Sequence, residues 1–259
     1  MTKVNGSVLG GKTAWITGAG SGIGRAGALA LAEGGARIVL SGRRADQLKE
    51  VAAEIEAAGG KAEVIVLDVA DRAAVAKTGA AILARHGRVD ILVNSAGINV
   101  PNRFWKDLTP ESFETVVAIN LNGALFCTAA VLPAMRARKD GLVINISSWA
   151  GRFDPYLTGP AYNASKHAMV AMTTSLNTEE CVNGIRGCTI CPGEVATPIL
   201  QKRPIRPSPE ELARMLQAED LGRTIRFVAE MPPHVCVNEI LISPTWNRTF
   251  IGGEDIARR

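Results

Sequence analysis

This 259-residue chain contains few aromatic residues, and its positive and negative charges nearly balance. Aromatic side chains make up 5% of it, and 29 Lys and Arg against 25 Asp and Glu leave a net charge of +4. So small an excess, without a long Lys/Arg run, argues against nucleic acid as a partner. No stretch approaches about 18 uninterrupted apolar residues, and the N-terminus lacks the apolar core of a signal peptide, so we expect no membrane association.

Cysteine is also scarce, with five residues at irregular spacing. Cys188 and Cys191 form a C-x-x-C pair, but they lie in a short apolar run typical of a strand. Residues three apart on a strand point to opposite faces, so the two thiols are expected to diverge. No second pair completes a zinc site, and no metal is expected. Buried, reduced thiols predict a cytoplasmic location.

Short apolar runs alternate with helical patterns from residue 12 to about 190. In residues 45–58, for example, Leu48, Val51 and Ile55 recur at the spacing of one helix face. This alternation predicts an α/β fold, with a doubly wound parallel sheet covered on both faces, in a single domain over residues 1–259. The runs that we predict as strands are 13–17, 36–40, 62–67, 89–93, 142–146, 187–190 and 237–243.

The pattern breaks after residue 197, where four prolines and three cations fall between Pro198 and Pro209. Ser208 and Glu211 have the spacing of a capping box that opens a helix to about Gln217, and a further helix is predicted over 219–230. The insertion begins near the carboxyl end of a predicted strand, and ligands bind at such strand ends in open parallel sheets. We therefore predict a substrate lid at about residues 198–218 (the lid segment), with a simple surface loop as the alternative.

A glycine-rich turn follows the first predicted strand and opens a helix. Residues 17–24 read Thr-Gly-Ala-Gly-Ser-Gly-Ile-Gly. Glycines let the backbone approach a phosphate, and the helix N-terminus faces the anion with free N–H groups. A turn that needs glycine only for its shape is the alternative, but the strand before and the helix after favour dinucleotide binding.

The end of the second predicted strand indicates which dinucleotide is bound. An acidic residue there would bond the ribose diol, whereas residues 40–44 read Leu-Ser-Gly-Arg-Arg. Arg43 or Arg44 can form a charge-assisted bond to a 2′-phosphate, which favours NADP(H) over NAD(H). The alternative is that both arginines are merely solvated.

Tyr162 and Lys166 lie one helical turn apart on one predicted helix face. A cation beside a phenol favours the phenolate, and this lowers a pKa that is ordinarily near 10. Such a phenol can act as a proton donor or acceptor. Ser148 follows a predicted strand and is placed to bond a substrate carbonyl oxygen.

Six motifs in order resemble the short-chain dehydrogenase/reductase family over nearly the whole chain: the turn at 17–24, Asn94–Gly97, Asn120, Ser148, Tyr162–Lys166 and Pro192–Gly193. The resemblance implies a Rossmann-like sheet of about seven strands and a homodimer or homotetramer. It also implies that Tyr162 is the acid/base, that Lys166 lowers the pKa of Tyr162 and holds the nicotinamide ribose, and that Ser148 orients the substrate oxygen. Asn120 would anchor a proton-relay water. The cofactor-contacting positions implied with these motifs are Gly18, Ser21, Gly22, Ile23, Gly24, Asp68, Val69, Asn94, Ala96, Gly97, Tyr162, Lys166, Pro192, Gly193, Val195 and Thr197.

The chain departs from the family pattern at a few positions. Ser95 replaces the second asparagine of Asn-Asn-Ala-Gly, which we expect to affect stability rather than activity. The spacing from Ser148 to Tyr162 is slightly long, and Ser147 competes with Ser148, although the register before the turn at 149–151 favours Ser148. The segment from Met231 to Pro244 is similar to a branch of NADP-dependent 3-hydroxy acid and serine-type dehydrogenases.

For the substrate, we predict Trp149, Arg152, Arg203 and Arg206 as contacts. The candidate pocket also includes residues 99–105 after the fourth predicted strand and the insertion at 198–216. The cations of the lid segment suggest an acidic substrate, with a solvated cationic loop as the equal alternative. The sequence thus predicts an NADP(H)-dependent oxidoreductase that interconverts a secondary alcohol and a ketone or aldehyde. A non-catalytic dinucleotide-binding regulator or scaffold on the same fold is the alternative function.

Overall fold

The computed structural model of the protein describes residues 7–203, 206–248 and 250, and these residues contain one seven-stranded sheet. Every strand pairing is parallel, in the order β3-β2-β1-β4-β5-β6-β7. The prediction of a doubly wound α/β sheet of about seven strands is confirmed. The strands are β1 Thr13–Thr17, β2 Arg37–Gly42, β3 Lys61–Val66, β4 Ile91–Asn94, β5 Gly141–Ile146, β6 Ile185–Pro192 and β7 Glu239–Ile242.

Helices cover both faces of the sheet. Their bounds are α1 Gly22–Glu33, α2 Ala45–Ala57, α3 Arg72–His86, α4 Pro110–Val117, α5 Gly123–Arg138, α6 Pro160–Glu180, α7 Pro209–Arg214 and α8 Ala218–Glu230. One π-helical turn, Ala118–Asn122, joins α4 to α5.

Alternate residues of each strand enter two separate cores. Ile16 of β1 belongs to a core with Leu31 of α1 and Ile225 of α8. Trp15, its neighbour in the sequence, belongs to a second core with Val131 of α5. Successive side chains of a strand point to opposite faces of the sheet. Because the strands are apolar at consecutive positions, both faces of the sheet are buried.

The lid segment differs from the prediction at one helix end. Ser208 and Glu211 form the expected capping box, but α7 ends at Arg214 instead of near Gln217. Beyond it the chain is extended, because Leu216 donates its backbone N–H to the Glu194 carbonyl and accepts a bond from the N–H of Ala196. Pairing with the chain after β6 replaces the last helical turn.

The continuous helical stretch Pro110–Arg138 is long and apolar enough to cross a membrane by length and composition alone. It is not an uninterrupted apolar run, because Glu111, Glu114 and Arg136 lie within it. A core helix of a globular protein passes the same test, and here Val131 and Met135 of α5 are buried in the second core. The absence of membrane association remains a prediction.

Candidate active site

A cleft of about 600 Å³ opens at the carboxyl edge of the sheet, where the segments after β1, β4, β5 and β6 meet. This is the place where open parallel sheets bind ligands. At its entrance, Gly18 has φ +66°, and a Cβ on it would lie 2.8 Å from the backbone nitrogen of Ala96. The turn therefore requires glycine, both for its backbone conformation and for the close approach of β1 to β4.

The N-terminus of α1 faces this cleft without a side-chain cap. Ser21 occupies the N-cap position but makes no capping hydrogen bond, and the first turn of α1 contains no acidic residue. By contrast, Asp71 caps α3 and Thr109 caps α4 through their side chains. The first N–H groups of α1 thus fit an anionic ligand such as a pyrophosphate.

Arg44 lies over the same turn and donates from Nη2 to Oγ of Ser21 at 3.1 Å. Arg43 and Asp68 also border the cleft, and Oδ1 of Asp68 accepts a bond from the N–H of Ala70 at 3.0 Å. The two arginines that the sequence singled out therefore reach the phosphate-loop end of the cleft.

Tyr162 and Lys166 lie on α6 and border the cleft together. Nζ of Lys166 lies 5.5 Å from the centroid of the Tyr162 ring and donates to the carbonyl of Ile146 at 2.8 Å. Lys166 is 3% exposed, and this burial lowers its pKa to about 8. Burial raises the pKa of Tyr162, in contrast to the lowered pKa that the sequence predicted, while a hydrogen bond with Ser148 and the charges of Arg203 and Arg103 oppose that rise.

The two neighbouring serines have different partners. Oγ of Ser147 is buried and donates to the Lys166 carbonyl at 2.9 Å, so its proton is engaged with α6. Oγ of Ser148 accepts a bond from the N–H of Ala150 at 3.1 Å and bonds with Tyr162. Of the pair, Ser148 is the hydroxyl that meets the phenol.

Three of the predicted site residues lie behind the cleft wall instead of on it. Asn120 is fully buried in the π-helical turn, where it accepts from the N–H of Ile98 at 2.8 Å and donates to Oγ of Ser165 at 3.2 Å. Asn94 donates to Oδ1 of Asn145 at 2.8 Å beneath the site, and Gly24 lies inside α1. Asn120 and Asn94 support the cleft through these bonds.

Residues 12–207 match the family described as short chain dehydrogenase. The chain belongs to the short-chain dehydrogenase family. An uncharacterized oxidoreductase of Staphylococcus epidermidis is 34% identical over 233 residues, covering 90% of this chain and 97% of that protein. A glycine betaine reductase of Emericella nidulans is 37% identical over 91% of this chain, which corresponds to 19% of that larger protein.

Solved structures agree with this assignment. A metagenomic short-chain oxidoreductase in complex with NADP has a TM-score of 0.80 and 33% identity, covering 93% of this chain and 100% of that one. An alcohol dehydrogenase from Thermococcus sibiricus complexed with 5-hydroxy-NADP has a TM-score of 0.82 and 28% identity, covering 92% and 98%. The protein is thus a short-chain dehydrogenase/reductase enzyme, whereas the 3-hydroxy acid branch remains a prediction.

The predicted substrate contacts of this short-chain dehydrogenase divide into two groups. Trp149 and Arg203 border the cleft. Arg152 does not, because its guanidinium pairs with the carboxylate of Glu239 on β7, with Nε to Oε1 at 2.5 Å. Arg206 is exposed and also lies outside the cleft lining. The lid segment is cationic by sequence, but the tertiary fold determines that Arg203 borders the cleft and Arg206 does not.

Two charged residues of the dehydrogenase, Glu194 and Arg248, border the cleft and were not predicted, whereas Arg103 also borders it and lies within the predicted pocket segment 99–105. Arg103 lies in the loop after β4, and Glu194 lies inside the Pro192–Thr197 motif, so the position of each in the sequence already indicated that it is near the cleft. Nothing local marks Arg248, which comes from the segment after β7. Burial lowers the pKa of Arg103, and the nearby charge of Arg203 lowers it further.

Proposed function

We propose that the protein is an NADP(H)-dependent oxidoreductase that interconverts a secondary alcohol and a ketone or aldehyde, with Tyr162 as the acid/base. The observation that carries this proposal is that Tyr162, Lys166 and Ser148 all border the cleft that the glycine-rich turn also lines. A phenol, a hydroxyl bonded to it and a nearby cation are the groups needed to move a proton at a carbonyl oxygen.

Each of the three side chains has a separate role. Tyr162 gives its proton to the substrate oxygen in reduction and takes it back in oxidation. The Ser148 hydroxyl donates to that same oxygen and holds it near the phenol. Lys166 favours the phenolate by its charge, and Asn120 supports this wall through Ser165 and is proposed to anchor a water that relays protons. The nicotinamide, when bound, supplies or accepts the hydride.

The residues of the cleft fit a dinucleotide. Gly18, Ser21, Gly22 and Ile23 would hold the pyrophosphate at the uncapped end of α1. The adenosine side would meet Asp68, Val69, Ala96 and Gly97, and the nicotinamide side would meet Pro192, Gly193, Val195 and Thr197, all of which border the cleft. Arg43 and Arg44 would bind the 2′-phosphate, and the NADP named in two structural neighbours supports this preference.

Oxidation of a panel of secondary alcohols, and reduction of ketones and aldehydes, tests the function directly with NADP(H) and NAD(H). We expect Tyr162→Phe to lower kcat by about 10²–10⁴-fold, the typical contribution of a general acid. Cofactor affinity should remain measurable. Tyr156→Phe is a matched control, because Tyr156 is an exposed phenol stacked on Phe104 outside the cleft. Near-normal turnover by Tyr162→Phe would exclude this mechanism.

The proposal includes a homodimer or homotetramer in the cytoplasm. Apolar side chains such as Leu125 on α5 and Phe227 on α8 are about half exposed, which supports association with a second copy. All five cysteines are free thiols, which supports a reducing compartment.

A further inference from the structure

The segment that follows β7 reaches the cleft and contacts the lid segment. We define residues 243–248 as the strap, in which Asn247 and Arg248 border the cleft. We propose that the strap holds the lid segment in place, and that Arg248 is the positioning residue that controls how readily a dinucleotide enters and leaves. The proposal rests on the proposed function only for the identity of the ligand, because the strap acts through contacts within this chain.

The start of the lid segment lies on the glycine-rich turn. A Cβ on Gly22 would lie 3.2 Å from Cγ2 of Thr197 and 3.9 Å from Cδ of Pro198. Ile199 and Leu200, which follow, also border the cleft. The proposed pyrophosphate site is therefore covered on this side by the chain, so we expect exchange of a dinucleotide to require movement of the lid segment.

Helix α7, the helical part of the lid segment, lacks an apolar anchor of its own. None of its six residues, Pro209–Arg214, all of which the structure describes, is buried. Met215, directly after the helix, is buried and anchors one end of it. A segment with so few buried contacts opens locally at a small free-energy cost. The contacts that α7 makes with the strap therefore contribute a large share of what holds it in place.

Two side chains of the strap contact α7 directly. Nη2 of Arg248 donates to Oε1 of Glu211 at 3.1 Å. Cζ of Arg214 lies 5.2 Å from the centroid of the Trp246 ring, which is a cation–π contact. Oε2 of Glu211 accepts a bond from the N–H of Ser208 at 2.7 Å in the capping box. One carboxylate thus caps α7 and also joins it to the strap.

Arg248 also joins α7 to the wall of the cleft. Its Nε lies 2.8 Å from Oε2 of Glu194, and Oε1 of Glu194 lies 2.6 Å from Nη1 of Arg203. With Glu211, these side chains form a row of alternating charge from the cleft to α7 (the charged row). Two guanidinium groups and two carboxylates balance, so the charged row is neutral. Arg248 is 9% exposed, and its loss would leave two carboxylates without the cation that they share.

The strap is fixed at both ends, so the lid segment is the part that moves. Before the strap, β7 pairs with β6 in the sheet. Beyond it, the ring of Phe250 packs edge-on against Trp149 with their centroids 5.4 Å apart. Trp149 follows Ser148 and borders the cleft. Opening of the lid segment therefore breaks the bonds of Arg248 and leaves the strap where it is.

Control of ligand entry gives a kinetic signature that a direct ligand contact does not. If the dinucleotide passes only when the lid segment is open, weakening the charged row raises the association and dissociation rates together, and the dissociation constant changes little. Loss of a direct contact raises mainly the dissociation rate. Stopped-flow fluorescence with NADPH and with NADH measures both rates without turnover.

Glu211→Gln is the variant that tests this signature. Glutamine at this position keeps the capping box of α7 and loses the charge that faces Arg248, and Glu211 lies outside the cleft lining. We expect both rates to rise by about tenfold, because a hydrogen bond to a charged group typically contributes that much. Arg223→Met is the matched control, since it removes an exposed ion pair with Asp220 on α8 and should leave both rates unchanged.

Substitutions of Arg248 then test the positioning residue itself. Arg248→Met removes both ion pairs of this side chain, so both rates should rise by more than in Glu211→Gln. Arg248→Lys should recover part of the effect, because it keeps the charge and loses the planar fork. If Arg248→Met does not fold, Glu211→Gln decides.

Hydrogen exchange of the cofactor-free protein locates the motion. The N–H of Leu212 donates to the Ser208 carbonyl, and that of Leu216 donates to the Glu194 carbonyl. Exchange at both should be about tenfold faster in Glu211→Gln, with exchange in β1 unchanged. Equally faster exchange in β1 would show a loss of global stability and would overturn the positioning role.

The outcomes separate this inference from the proposed function. Faster exchange in α7, with both cofactor rates raised, supports the role of the strap. Unchanged exchange, or a rise of the dissociation rate alone, overturns it while the oxidoreductase stands. If the protein binds a dinucleotide but turns over no alcohol or carbonyl compound, the proposed function fails, and the rates and the exchange still decide the role of the strap. A protein that binds neither dinucleotide would overturn both.

Discussion

At the residue scale, Lys166 combines a positive charge with near-complete burial. It is 3% exposed, and desolvation lowers its pKa from 10.5 to about 8. The folded protein therefore binds this proton less tightly than the unfolded chain does, so the charge destabilises the folded state at neutral pH. The hydrogen bond to Ile146 offsets only part of that cost. A destabilising group kept in a cleft fits a role in catalysis.

We expect Lys166→Met to abolish turnover but to raise the free energy of unfolding of the cofactor-free protein by about 1–3 kcal/mol at pH 7. Since the unfolded pKa is 10.5 and the folded pKa is about 8, the penalty is fully present below pH 8. It disappears as the pH rises towards 10.5, so the wild type gains stability relative to the variant over that window. Urea denaturation at several pH values measures this.

Lys77 is exposed on α3, so Lys77→Met is the control for that series and should change the free energy of unfolding little. A Lys166→Met protein that is less stable than the wild type at pH 7 would contradict the assigned burial cost. So would a difference that stays constant across the alkaline range.

Arg44, together with Arg43, is expected to affect the binding of NADPH but not that of NADH. Replacing Arg43 and Arg44 by Ala should weaken NADPH binding by about tenfold or more and leave NADH binding nearly unchanged, because only NADPH carries the 2′-phosphate. Fluorescence titration gives both dissociation constants. Arg25→Ala removes a charge from α1 where it pairs with Glu54, outside the cleft lining, and should alter neither constant. Equal losses for the two cofactors would exclude the phosphate contact.

At the element scale, α1 and α8 approach each other through one glycine from each helix. A Cβ on Gly222 would lie 2.7 Å from the backbone carbonyl oxygen of Ala26, which cannot move without shifting α1. A Cβ on Gly27 would lie equally close, at 2.7 Å, to Cδ1 of Ile225, which is the end of a rotatable side chain. The two glycines therefore differ in what a methyl group would displace.

We expect Gly222→Ala to lower the free energy of unfolding by about 1–2 kcal/mol, because overpacking against backbone outweighs the gain in helix propensity. Gly27→Ala should change it by less than about 1 kcal/mol, because Ile225 can rotate away while the same propensity gain remains. Urea denaturation of both variants tests the ranking, and a reversed order would contradict this view of the helix contact.

At the scale of the whole molecule, large apolar side chains are exposed on α5, α8 and β7. Leu125 of α5 is 48% exposed, whereas Phe227 of α8 and Leu241 of β7 are 51% and 46% exposed. Large exposed apolar side chains grouped on a surface often mark contacts between subunits. Contacts through α5 alone or α8 alone would give a dimer, and contacts through both would allow a tetramer.

Light scattering after size exclusion should therefore give a mass of two or four chains of 27.4 kDa. We expect Leu125→Glu to lower that mass, because a buried charge at an interface is costly. Val182→Glu is the control, since Val182 is 78% exposed in the turn beyond the end of α6. A wild-type protein with the mass of one chain would contradict the proposed oligomer.

The sequence predicted the strands closely and the element ends less well. Residues 13–17 were predicted as a strand and form β1, because an apolar run next to a glycine turn is a local signal. Strand β6 is longer than predicted, at Ile185–Pro192, and α7 is shorter. Both differences arise from pairing with distant parts of the chain, such as Leu216 with Val195, which no local pattern encodes.

Local sequence patterns are enough to specify the alternation of strands and helices, the glycine turn and the placing of Tyr162 and Lys166 on one helix face. These depend on short-range periodicity and backbone sterics. Which charged side chains border the cleft depends, by contrast, on the folded arrangement of the chain. Arg152 pairs with Glu239 on β7, while Arg103, Arg203 and Arg248 arrive from segments far apart in the chain. Their burial and pairing depend on how the sheet brings those segments together at its carboxyl edge.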